Sequence, residues 1–323
     1  KKNKKSTFPI KLKKKSYRRI EKMKRLLYTL STLLFFLLLL LFPQTVFRGA
    51  ESGLLLWFRT VLPTLLPFLI VSNFLIRTDA ARVLARLLTP ILGRLFRVSP
   101  YGSFAMLTGF LCGYPMGGKV TADLLREGRI SLSEASYLLS FCNNTSPGFI
   151  VSFLVWQCLK APSLAAPTLL LLLGVPMFFS MVFRRFLHVP HPALPEKMAN
   201  PPSNTGNEGL ADGCIMDAIE NITRIGGYIL LFSILFSLAE QIPGLPLSAR
   251  LFLLPSLEMT TGVRYICSLE LPFLVRYASA AFLTSFGGFC CLAQTASILK
   301  GTPLKIMPYF AEKLVTAAAT SFL

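Results

Sequence analysis

Four short polar runs interrupt an otherwise apolar sequence, and their residue types suit the binding of a small solute. The first is GYPMGGK, from Gly113 to Lys119. Gly113, Gly117 and Gly118 permit positive φ and close approach of the backbone to a ligand. Pro115 fixes a kink, Tyr114 offers an aromatic face and a hydroxyl, and Met116 lies at the centre. The second run, NNTSPG, sets two amides and two hydroxyls (Asn143, Asn144, Thr145, Ser146) ahead of Pro147 in an apolar segment. Such groups are costly when they face lipid. The third, SLEMTTG, carries Glu258 with Thr260 and Thr261 between apolar flanks. An acid inside a membrane segment is functional by default: it can bind a coupling ion, carry a proton or bond a substrate. The fourth is SFGG, with Ser285, Gly287 and Gly288, followed by Gln294.

Each run also admits a plainer role. GYPMGG can be a small-residue packing motif. NNTSPG can be a satisfied helix break, and Glu258 an interfacial loop position. Lys119 can meet an anion or snorkel to the interface. Asp123 and Glu127 share a polar face with Arg126 and Arg129, so solvated pairing is expected there rather than chemistry.

The elements that must position these runs follow from composition. The 323 residues are 53% hydrophobic and 15% charged, with mean hydropathy +0.58. A soluble domain carries about 25% charged residues. The expectation is an all-α polytopic membrane protein. The net charge of +19 is concentrated, because 13 of the 34 Lys/Arg fall within residues 1–25 beside a single acid, Glu21. This stretch abuts an apolar run starting at Leu26, so it reads as a cytoplasmic topogenic tail rather than a nucleic-acid binder. Met23 just precedes the apolar run and would serve as a start, so residues 1–22 are set aside from the fold reasoning. The seven cysteines show no CxxC or Cys/His ligand spacing, and His188 and His191 form a loop pair. Neither a metal site nor a disulfide framework is expected.

Spans need about 20 apolar residues. They are expected at 26–47, at 53–76 with bends at Pro63 and Pro67, at 163–183, at 225–240 after an amphipathic lead-in helix at 212–224, and at 306–322. Residues 81–97 carry Arg82, Arg86, Arg94 and Arg97 and suit an interfacial helix. Residues 102–112 and 247–256 are apolar but too short to span, and each runs into a polar break around a Met. The longer segments 133–157 and 271–299 are each interrupted. The two halves, 26–188 and 211–323, thus correspond across a Pro- and Asn-rich cytoplasmic linker at 189–210. Met116 and Met259 are offset by 143 residues, Ser140 and Ser285 by 145. Lys/Arg placement with a cytoplasmic N-terminus puts the two short hairpins on opposite faces, giving two inverted repeats with re-entrant hairpins and broken transmembrane helices. Broken helices at membrane depth persist only where they are buried in protein or line a wet cavity, and paired breaks are the sequence mark of a transporter site.

GFLCGYPMGGKVTADLL followed by LSFCNNTSPGFI resembles bacterial sporulation integral membrane proteins that carry the nucleoside-recognition, or Gate, domain. That family is similar to concentrative nucleoside transporters in its hairpin-plus-broken-helix architecture. The resemblance implies that Gly113 to Lys119 and Asn143 to Pro147 line a substrate path, with Glu258 to Thr261 as the second hairpin tip. It also implies export of dipicolinic acid from the mother cell, and a place in the mother-cell or outer forespore membrane. The basic stretch 1–22 departs from the family.

The expected function is transport of a small anionic or heteroaromatic solute by alternating access, with no cofactor beyond a coupling proton or sodium ion. Its partners are the bilayer and the solute, with room for a second copy or other sporulation membrane proteins, and no nucleic acid. Nucleoside transport is one alternative. The other is a non-transporting scaffold or assembly factor, which predicts that Glu258→Gln and Asn143→Ala leave function intact. No Ser/His/Asp set, HExxH motif or paired catalytic aspartates is present, so an enzyme is not expected.

Overall fold

A computed structural model describes residues 8–78, 80–186 and 209–323. The linker expected at 189–210 falls almost wholly outside these residues, as do His188, His191 and the start of the basic tail. Among the described residues there are helices and no strands. The chain divides into two compact units, Lys1–Arg48 and Gly49–Leu323. In the first, α1 (Phe8–Leu41) joins the basic tail to an apolar stretch, Arg25–Leu41. Leu26, Leu30, Leu33, Leu37 and Leu40 on it are all exposed, as a lipid-facing helix requires.

α1 stops earlier than the span expected at 26–47. Pro43 lacks an N–H and disfavours helical geometry at the residue before it. Residues 43–47 therefore open the next helix. That helix is α2 (Pro43–Leu56), which passes through a π-helical turn at Trp57–Val61 into α3 (Leu62–Arg77). The π turn sits just before Pro63, where a missing donor must be accommodated. The amphipathic piece 81–97 forms α4 (Ala81–Leu88), a π turn at Thr89–Gly93 and the short α5 (Arg94–Phe96).

α6 (Pro100–Cys112) and α7 (Met116–Arg126) make the first helical hairpin, turning at Gly113–Pro115. α8 (Leu132–Cys142) ends at Asn143, and the segment resumes as a π-helical stretch, Phe149–Cys158. α9 (Ala165–Phe186) closes the first half. In the second half, α10 (Leu210–Glu240) is one unbroken helix, where a separate lead-in and span were expected. Its Gly226 lets Trp57 lie flat against it: a Cβ there would sit 2.7 Å from the indole ring. Trp57 Nε1 also donates to the Ile222 carbonyl at 2.9 Å. A π turn at Ala249–Leu253 leads to α11 (Met259–Ser268). α12 (Phe273–Phe286) and α13 (Gly288–Ile298) are two halves of one segment broken at Gly287, and α14 (Ile306–Phe322) ends the chain.

Four helical stretches among the described residues are long and apolar enough to cross a membrane: Pro43–Arg77, Pro162–Arg185, Leu210–Glu240 and Phe273–Ile298. In the unit from Gly49 onward, α3 packs on α10 and α9 on α14. α7 packs on α13, and α11 on Phe149–Cys158. α8 meets α14, and α12 meets α9.

Two glycines hold the first half together by close approach. A Cβ at Gly109 or at Gly117 would stand 2.3 Å from the Cys142 carbonyl oxygen. The last turn of α8 thus sits directly against both arms of the hairpin. The polar face shows the expected pairs, Asp123 with Arg126 at 2.7 Å and Glu127 with Arg129 at 3.7 Å, but Arg129 is buried rather than solvated. It is 6% exposed, with its guanidinium 5.5 Å from the Tyr101 ring centroid. Arg126, besides pairing with Asp123, reaches across to the Ile298 and Lys300 carbonyls, at the end of α13, where a cation favours the helix dipole. Gly117→Val should overpack the α7–α8 contact and cost about 1–3 kcal/mol. This is read as a lower thermal midpoint in detergent, whereas Gly174→Ala on α9, with nothing within 4 Å, should leave the midpoint unchanged or slightly higher.

Candidate functional site

Two helices, α8 and α12, end inside the protein, and their last carbonyls need donors. The break residues supply them. Ser146 precedes Pro147 and is pushed toward extended backbone. Asn and Thr side chains compete for nearby backbone groups, so NNTSPG stops a helix and caps it at once. Asn144 Nδ2 donates to the Phe141 carbonyl at 2.5 Å, at the end of α8. Thr145 Oγ1 donates to the Thr284 carbonyl at 2.7 Å, at the end of α12 in the other half. Tyr114, in the hairpin turn, donates its hydroxyl to the Ser285 carbonyl at 2.8 Å. Gly287 has φ 83°, and a Cβ there would stand 2.8 Å from Tyr114 Cζ, so glycine serves both the turn and the tyrosine.

Asn143 is wholly buried and ties three elements together. Its Oδ1 accepts from the Gly118 N–H at 3.2 Å. Its Nδ2 faces Thr295 Oγ1 at 3.0 Å and the Tyr309 hydroxyl at 2.9 Å. The second hairpin is built differently. Glu258 caps α11, its two carboxylate oxygens accepting from the Thr260 and Thr261 N–H groups at 3.1 and 2.7 Å. Carbonyls of the same turn, Ser256 and Leu257, accept from the first N–H groups of α13, those of Phe289 and Cys290, at 2.6 and 3.1 Å.

Both hairpin turns, the break after α8 and the α13 residues Cys291 and Gln294 line one cavity of about 480 Å³. Gly113, Tyr114, Thr145 and Ser146 reach it from the first half, and Glu258, Thr260 and Gln294 from the second. Phe68, Phe149 and Phe153 give it aromatic walls, and Arg264 a cation, 5.1 Å from the Phe153 ring centroid. An adjoining hollow of about 230 Å³ shares Leu56, Thr60 and Arg264 with it and adds Arg59. The size lies within the range of small-molecule sites.

The remaining residues singled out from sequence support the site from behind. Met116 is buried core, and Gly117 and Gly118 pack on the end of α8. Pro115 follows Tyr114 through a cis peptide. Gly288 lies against the Ser256 carbonyl, and Thr261 gives its N–H to Glu258. Ser285 Oγ accepts from Thr320 at 3.3 Å. Lys119 pairs with Asp123 along α7 and is not on the cavity wall.

Sequence reading passed over Lys313, which is 1% exposed. Its ammonium bonds Asn144 Oδ1 and stands 5.0 and 5.8 Å from the Tyr114 and Tyr309 ring centroids. The signal was present, since Glu312 and Lys313 are ionisable residues in the middle of the last apolar segment. Arg264, Tyr309 and Thr295 were missed because nothing in their local sequence marks them.

The turn at Tyr114 and the break at Asn143 lie in one continuous stretch with a counterpart in known proteins. Residues 58–156 match the Gate family, described as nucleoside recognition. The chain is also 28% identical over 306 residues to the sporulation integral membrane protein YlbJ of Bacillus subtilis (strain 168), covering 84% of this chain and 75% of that protein. No solved structure matches the chain. It is therefore a membrane protein with a Gate domain and a sporulation membrane relative. The Gate match holds Gly113 to Ser146, whereas Glu258, Thr260 and Gln294 come from outside it.

Asn143→Ala should cost about 1–3 kcal/mol, because it strands the Gly118 N–H and removes the donor to the buried Tyr309 hydroxyl, while Thr295 keeps its bond to the Cys291 carbonyl. Lys119→Ala removes an i,i+4 pair worth about 0.5 kcal/mol or less. Thermal unfolding of the purified variants should rank them in that order.

Proposed function

We propose that this chain is a transporter, not an enzyme, moving a small anionic or heteroaromatic solute across the cell membrane by alternating access. The observation that carries the reading is a cavity walled by both hairpin turns, by the break after α8 and by α13 beyond the break of the second half. The phenyl rings and guanidinium suit a heteroaromatic anion, beside Ser, Thr, Gln and Tyr groups and the Glu258 carboxylate, whose two oxygens accept from the first N–H groups of α11. Arg59 and Arg264 in the adjoining hollow add an attractive approach for negative charge.

Two inverted repeats with re-entrant hairpins belong to the same reading. The partner exchange supports them. α7 on α13 pairs with α11 on Phe149–Cys158, and α8 on α14 pairs with α12 on α9. α3 with α10, and α9 with α14, join equivalent elements. Each contact has its counterpart with the halves exchanged, as a pseudo-two-fold axis requires. The Lys/Arg distribution supports a cytoplasmic N-terminus. The partners on this reading are the bilayer and the solute. The relative's name favours a role in sporulation, and the family resemblance favours dipicolinate leaving the mother cell as the specific case, in the mother-cell or outer forespore membrane. The Gate description keeps nucleosides as the comparison substrate.

Purified protein in liposomes should take up labelled dipicolinate, with proton and sodium gradients imposed separately. Arg264→Gln should slow dipicolinate by about tenfold, the effect of about 1.4 kcal/mol, and spare an uncharged nucleoside. Absence of uptake for every candidate, together with intact sporulation in Glu258→Gln and Asn143→Ala strains, would overturn the proposal in favour of a scaffold.

A further inference from the structure

The buried ammonium of Lys313 has no role in the wall of the cavity, and its surroundings are those of a bound cation. On one side lies the amide oxygen of Asn144, in the gap just after α8 ends. The faces of Tyr114 and Tyr309 lie on two others. Among the described residues no carboxylate stands within ion-pair distance of it. The other ionisable groups near it are Cys142, Cys291 and the neighbouring Glu312. A buried charge without a counter-ion is retained only where oriented dipoles replace water. Here these are the amide oxygen, two aromatic faces and the negative end of α8.

The same gap lies at the negative end of the α8 dipole. Freed carbonyls and helix C-termini at a break attract a coupling cation such as sodium. Lys313 enters this gap from α14, and its ammonium bonds Asn144 Oδ1 there. It also reaches both parts of the gating apparatus at once. Asn144 belongs to the first break, and Tyr114 belongs to the first hairpin turn and bonds the end of α12.

We propose that the Lys313 ammonium is a resident cation at the break of α8, standing where a bound sodium ion would stand, so that the protein works without sodium. The working cycle invoked rests on the transport reading above; the occupancy of the site by a tethered cation does not.

Two measurements separate these. In liposomes, wild-type uptake of dipicolinate should be equal with sodium or with choline outside. Lys313→Met should lower it by on the order of 100-fold, because the break residues lose the geometry they are held in. Independently of transport, Lys313→Ala in detergent should have a lowered thermal midpoint that ethylammonium raises in a saturable way. The wild type and a Lys119→Ala control should not respond. Sodium-dependent wild-type uptake, uptake by Lys313→Met at the wild-type rate, or a Lys313→Ala protein indifferent to ethylammonium would each overturn the resident-cation inference. If no solute is transported, the ethylammonium response alone decides it, and the transport reading fails separately.

Discussion

Much of this structure follows from one requirement: helices that stop inside the protein must have their final carbonyls satisfied. α8 stops at Cys142 and α12 at Phe286, where bulk water does not supply donors. Asn144 serves the first, and Thr145 and Tyr114 serve the second. Two of these three bonds cross between the halves. The end of α8 is thus satisfied within its own half, whereas the end of α12 draws both donors from the first half, which joins the two halves at that break.

That solution uses up some polar groups and leaves others free. Asn143 spends its amide on Gly118, Thr295 and Tyr309, and so acts as a strut. Glu258 spends both carboxylate oxygens on the first turn of α11, yet remains on the cavity wall. Gln294, Thr260 and Arg264 face the same space. The cavity is thus lined by residues of three kinds: helix caps, spare polar groups and aromatic walls. A solute that displaces a cap would be felt at the end of a helix, which is a physical route from binding to movement of a hairpin.

Glycine sets how close the pieces come. Gly109 and Gly117 admit the Cys142 carbonyl between the arms of the first hairpin. Gly262 does the same for the Pro255 carbonyl in the second, where a Cβ would stand 2.2 Å away. In both hairpins the space beside the backbone is filled by another segment's backbone. The glycine-rich motif is therefore a packing device at Gly117 and Gly118 and a turn facing the cavity at Gly113. The two roles separated at the sequence level occur together a few residues apart.

Sequence alone determined the class and the punctuation. Apolar runs, their lengths and the polar interruptions placed the hairpin turns and both breaks, because a polar or Pro-containing run in an apolar segment has few other physical outcomes. It also located Gly113, Tyr114, Thr145, Ser146, Glu258, Thr260 and Gln294, which meet at one cavity. It misplaced two boundaries: at Pro43, whose local effect ends α1 early, and in α10, which runs unbroken through Gly226, the seat of Trp57. Which polar groups are caps and which are free was decided only by the tertiary structure, since that depends on donors more than a hundred residues away. Lys313 shows this most clearly. In the sequence it is one of two adjacent ionisable residues in a final apolar helix, with Tyr309 one turn before it; only the folded chain brings Asn144 and Tyr114 to it, because the hydrogen bond and the second aromatic face that make a buried charge tolerable come from two other elements.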